Sequence, residues 1–244
     1  MGKRSSTWDS ALATFRPLII IQGEVAYAYN LLQENFFNVF NLVMALERPP
    51  DRPVTYYHFA LAIWHIVQND KTQRDLALTA LENIPTNLDF KEGIERLKWA
   101  QKQADKFANY RNIIIHTPMQ LSSRWKDDKI FPPVPRIGGA STKPINVRRL
   151  RAIKSVRFWK AVRSDLLNLN DYVDWVTRRI AWLDYERKHG GSIPGARRSW
   201  PRKPQLRSIH RIGLIEKIVK DHPVDPRPPP KRRRPSGAPP PARS

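Results

Sequence analysis

Apolar residues recur every three or four positions through most of the first 190 residues, the period of an α-helix with one buried face. Leu18, Ile21, Val25, Tyr29, Leu32, Phe36, Val39 and Val43 predict one helix, or a broken pair, over 8–47. Pro49-Pro50 and Pro53 end it, since proline has no N–H to donate and pushes its predecessor out of the α region. A second helix is expected from Tyr56 to Asn83, with Phe59, Ile63, Ile66, Val67, Leu76, Thr79 and Ala80 on its inner face. Its Asp70 and Arg74 stand four apart, acid before base, the favourable order for a surface pair. A third helix, Asp89 to His116, carries Ile94, Leu97, Ala104, Phe107, Ala108 and Ile115 inward. The fourth, Arg148 to Lys188, has an apolar stripe from Val156 through Trp159, Leu166 and Val173 to Leu183. Gly190 supplies its stop, because glycine readily takes the left-handed conformation of a C-cap.

Four long helices with mostly short connections predict an all-α protein, an antiparallel four-helix bundle over 8–188. Its long connection, 117–147, contains five prolines and a Gly138-Gly139 pair. No period-two alternation there is long enough to predict a sheet, though the loop has room for two strands. Residues 189–244 form a basic tail rich in Pro and Arg that ends in PRPPPKRRRPSGAPPPARS. Such a composition buries too little apolar surface to offset ordering entropy, and it is expected to be mostly disordered. Only the amphipathic stretch Ile209 to Val219 has the pattern to fold on the domain or on a partner.

Charge divides the chain more sharply than hydropathy does. Residues 1–140 carry 17 basic against 14 acidic side chains, whereas residues 141–244 carry 26 against 8. A near-neutral domain joined to a strongly cationic half attracts polyanions, nucleic acid first. Lys126, Arg148, Arg149, Arg151, Arg232 and Arg233 are the candidate RNA-binding residues. There is no cysteine, which removes disulfides, thiolate metal sites and cysteine nucleophiles. A reducing, cytoplasmic setting suits that composition, and no apolar run reaches the ~18 residues of a membrane span.

The sequence has no phosphate-binding glycine loop, dinucleotide fingerprint, HExxH or nucleophile elbow. His58 and His65 share a helix face but lie about 10 Å apart along the axis, too far to chelate one metal. Both are expected to be buried or half-buried, and neither a metal nor a cofactor is expected. The chemistry collects instead in ANYRNIIIHTPM, residues 108–119. Asn112 and His116 are four apart and side by side on a helix, and Arg111 lies roughly 100° round from Asn112. Pro118 ends the helix near His116, where the unpaired carbonyls favour the imidazolium. A histidine tuned near neutrality beside an obligatory cation has the chemistry of RNA cleavage. His116 takes the ribose 2′-hydroxyl proton or returns one to the leaving 5′-oxygen. Arg111 holds the phosphate and stabilises its growing charge, and Asn112 orients either group.

The motif Arg111-Asn112-Ile113-Ile114-Ile115-His116, preceded by Tyr110 and set in a helical bundle, resembles the R-x4-H motif of the HEPN superfamily of helical RNases and nucleotide-binding domains. The resemblance covers roughly 8–188. It implies a homodimer with motifs facing across a shared cleft, catalytic Arg111 and His116, and a supporting Asn112. An earlier-helix acid sometimes assists in such proteins; Glu24 and Asp70 are the candidates. An inhibitory protein partner, as an antitoxin restrains a toxin, also fits the resemblance. The expected activity is endoribonucleolytic, leaving a 2′,3′-cyclic phosphate. The alternative is a HEPN-like adaptor that binds nucleic acid or protein without cleaving.

Overall fold

The structure is a computed structural model. It describes residues 5–46, 56–84, 88–116, four short strands between 119 and 137, and 156–221 except 192–194 and 196–198. Arg148, Arg149, Arg151, Arg232 and Arg233 lie outside the described residues, as do the side chains of Lys126 and His116.

Among the described residues the chain forms six helices: α1 Ser5–Leu46, α2 Tyr56–Ile66, α3 Asp70–Glu82, α4 Leu88–His116, α5 Val156–His189 and α6 Arg207–Asp221. No described helix is long and apolar enough to cross a membrane. The long connection does hold strands. β1 Met119–Ser122 pairs antiparallel with β4 Val134–Ile137, and between them β2 Trp125–Lys126 pairs with β3 Lys129–Ile130.

α1 runs unbroken through Pro17, and every apolar position expected on its inner face is buried. The stripe of α5 is buried from Trp159 to Leu183, with Val156 half-buried at its start. Gly190 follows α5 at φ 68°, and its N–H donates to the Glu186 carbonyl at 2.9 Å. On α4 the inner face holds through Phe107, but Ile115 is exposed.

The expected second helix is two helices. Asn69 breaks it: its side-chain oxygen accepts from the backbone N–H of Lys71 at 2.8 Å and of Thr72 at 3.3 Å, capping α3. Gln73 stitches the junction by donating to the carbonyls of Trp64 and Val67 at 2.8 and 2.9 Å, which serves the orphaned end of α2. With the chain broken there, no single helical phase spans 56–83. Phe59 and Ile66 face solvent, and the buried positions are Ala60, Trp64, Arg74, Ala77, Leu78 and Leu81. His58 and His65 are exposed rather than buried for the same reason.

That extra reversal changes the helix directions. Arg74–Asp105 and Glu82–Lys98, each 2.6 Å, pair α3 with α4 antiparallel. Trp99–Tyr172 and Tyr110–Phe158, with ring centroids 5.2 and 6.2 Å apart, do the same for α4 and α5. Glu24–Arg163 and Asn35–Asn170 advance together along α1 and α5, at 2.7 and 2.8 Å, so those two helices are parallel neighbours. An up-down-up-down order would have made them antiparallel.

Part of the tail that composition marks as disordered is folded. Residues 199–221 lie along α4 and α5, running in the direction of α4. Arg96 donates to the Pro201 carbonyl at 2.8 Å and stacks 5.8 Å from the Trp200 ring. Lys203 lies over Trp99, and Arg211 over Phe158. Asp165 is buried and accepts from both the backbone N–H and the hydroxyl of Ser208, each at 2.6 Å. The Tyr110 hydroxyl donates to Glu216 at 3.0 Å, so α6 ends beside the last turns of α4. Buried Ile212 and Ile215 supply the apolar anchorage of α6.

Gly93 permits the start of this strap. A Cβ there would stand 2.8 Å from Ile180 Cγ1 and 2.8 Å from Trp200 Cη2. Gly93→Ala gains helix propensity but overpacks this crossing. A net loss of about 1–2 kcal/mol is expected in urea unfolding. An unchanged midpoint would show that Trp200 is held less tightly than the geometry indicates.

Candidate active site at the end of helix 4

The site forms where the last turns of α4 pass α1 and the start of α3. Its base is a charged network built into the core. Arg74 is fully buried. Its Nη2 bonds Asp105 Oδ1 at 2.6 Å, and its Nη1 donates to the Tyr29 hydroxyl at 3.0 Å. Asp105, with a third of its side chain exposed, connects this buried cation to solvent. The expected surface pair of Asp70 with Arg74 does not form, because the arginine turns inward to Asp105 and Tyr29 instead.

Tyr29 is buried and carries the Arg111 side chain on its ring. The Arg111 guanidinium carbon lies 5.4 Å from the Tyr29 centroid, close enough for cation–π attraction. Burial pushes the Tyr29 phenol above its ordinary pKa, and the Arg74 charge only partly offsets this. A raised folded-state value means that Tyr29 is a neutral phenol throughout the physiological range. Its contribution to stability is complete below the ordinary tyrosine pKa and is lost only as strongly alkaline pH ionises the folded form.

Arg111 is half-buried, and its Nη1 donates to Asn112 Oδ1 at 2.9 Å. Among the described residues its buried Nε has no hydrogen-bond partner, and neither has the Nε of Arg74. The structure therefore brings the Arg111 and Asn112 side chains into direct contact. The backbone of α4 ends at His116, as Pro118 requires. Arg111 borders an open pocket of about 580 Å³ whose wall includes Asp70, Lys71, Asp105, Asn109 and Asn112.

Of the two candidate assisting acids, the structure places Asp70 in this pocket and removes Glu24, which pairs with Arg163 at 2.7 Å. Exposed Arg157 and Lys160 on α5, and Arg211 on α6, add positive charge near the same end of the molecule. No group of acids and histidines able to hold a metal ion occurs among the described residues. Sequence reasoning missed Tyr29, Arg74 and Asp105 as parts of the site. Tyr29 has the spacing of an ordinary core residue, and Arg74 that of an ordinary surface pair. Comparisons with family models, curated proteins and solved structures find no match to this chain.

Proposed function

We propose that the chain is a metal-independent endoribonuclease with a HEPN-like bundle, acting through Arg111 and His116 as a homodimer. The observation that carries this reading is the setting of Arg111. Its flat face rests on a buried, neutral Tyr29, Asn112 fixes one of its amino groups, and an open pocket lies beside it. An arginine held this way is preorganised to meet a phosphate as charge builds on its oxygens.

In this reaction the ribose 2′-oxygen attacks phosphorus and the 5′-oxygen leaves. His116 takes the 2′-hydroxyl proton or protonates the leaving oxygen, and Arg111 stabilises the phosphorane charge. The products are a 2′,3′-cyclic phosphate and a 5′-hydroxyl. The cationic half supplies phosphate contacts along the RNA, with affinity that falls steeply with salt.

Purified full-length protein incubated with labelled RNA in EDTA tests the proposal. Wild type should release fragments ending in cyclic phosphate, and His116→Ala should not. If the two proteins cleave equally, the assignment of His116 fails; if neither cleaves while both bind RNA, an adaptor role stands in place of the nuclease.

A further inference from the structure

The pocket beside Arg111 contains one acid that no described donor engages. Asp105 is held by Arg74, and Glu24 faces Arg163. Asp70, the first residue of α3, lines the pocket and has no hydrogen bond or ion pair among the described residues. Its charge and that of Arg111 act in opposite directions on the Tyr29 phenol. A carboxylate and a guanidinium thus line the same pocket. Gln68 and Asn109, also in its wall, add carboxamides that both donate and accept. The volume of about 580 Å³ falls in the range of small-ligand sites.

An ionised carboxylate only accepts hydrogen bonds, and it accepts two in parallel from adjacent donors. Among the RNA bases, guanine alone presents two adjacent donors on its pairing edge, N1–H and the 2-amino group. Adenine and cytosine set a ring acceptor beside their amine, and uracil sets a single N–H between two carbonyls. Each of these would turn a lone pair toward Asp70.

We propose that this pocket is a guanine subsite, in which Asp70 accepts from N1–H and the 2-amino group of the base while Arg111 holds the 3′-phosphate of the same nucleotide. The acceptor on the same edge, O6, meets a donor from Gln68, Asn109 or Lys71. The ligand class rests on the nucleolytic reading above, which this inference extends to cleavage after guanosine.

Calorimetric titration of the full-length protein with nucleoside 3′-monophosphates tests the subsite without requiring turnover. Guanosine 3′-monophosphate should bind at least about tenfold more tightly than the adenosine, cytidine and uridine compounds, the worth of one lost charged hydrogen bond. Inosine 3′-monophosphate keeps N1–H and lacks the amine, so it should fall between them; this comparison needs no variant. Asp70→Asn replaces one acceptor with a donor and should abolish the preference for guanine. Its far-ultraviolet circular dichroism, compared with wild type, establishes that the variant is folded. Equal affinity for all bases, absence of binding at millimolar nucleotide, or a preference unchanged in Asp70→Asn would overturn the proposal. Cleavage after every base with cyclic-phosphate ends would remove this subsite and leave the nuclease reading standing. Guanine-selective binding without cleavage would do the reverse.

Discussion

Arg111→Ala should lower the rate of RNA cleavage by about 10²–10³-fold, the effect of removing one preorganised donor that meets charge in the transition state. The loss should appear in kcat more than in KM if, as proposed, the wider cationic surface supplies the contacts to the RNA backbone. Stability should change little. The side chain is half-buried, its side-chain hydrogen bond among the described residues goes to its neighbour Asn112, and its stacking on Tyr29 is worth about 1 kcal/mol. Arg111→Lys should recover little activity, since a point charge lacks the planar fork that can rest on an aromatic ring and engage a phosphate with two donors. Cyclic-phosphate formation by well-folded Arg111→Ala at the wild-type rate would mean that the arginine is structural.

Removing the carboxylate beneath the site should be the most damaging change to the fold. Asp105→Ala leaves the Arg74 guanidinium in the core with the Tyr29 hydroxyl as its one partner among the described residues. Breaking a buried ion pair from one side strands a charge, and a loss of about 3 kcal/mol is expected. The figure sits at the low end of the usual range because Asp105 is itself partly exposed and water can replace it. Arg74→Met in the Asp105→Ala background should restore much of that loss, since an apolar side chain of similar length needs no counter-charge. Urea unfolding of the two single variants and the double variant measures the coupling. If Asp105→Ala costs less than about 1 kcal/mol, the network does not hold a buried charge in the way the geometry implies. The same double variant probes the site, because Arg74 holds the Tyr29 hydroxyl and Tyr29 carries Arg111.

The amphipathic stripes of α1 and α5 are legible in the chain, because a long helix with one buried face repeats its apolar residues at 3.6 positions whatever it packs against. The segment 56–83 shows where that logic fails. Two short helices in different phases still place apolar residues three and four apart, so the pattern survives while the inferred face is wrong. The local signal for the break was present in Asn69-Asp70, a good cap and first residue. Gln73 reaching back to the carbonyls of α2 could not be foreseen from spacing. In the strap, composition marked a Pro/Arg-rich segment as unstructured, yet Trp200, Ile212 and Ile215 are enough to seat it when a glycine leaves room on α4.

The helical character of the chain, the end of α4 at His116 and the adjacency of Arg111 and Asn112 follow from local periodicity, proline sterics and residue spacing. The directions of the helices, the burial of Arg74 between Tyr29 and Asp105, and the presence of Asp70 rather than Glu24 in the Arg111 pocket arise from packing between distant segments. Each of those depends on groups far apart in the chain, 31 positions for Arg74 and Asp105 and 45 for Arg74 and Tyr29. A buried charge and an exposed charge have the same letter in a sequence; what separates them is whether a distant element brings a partner.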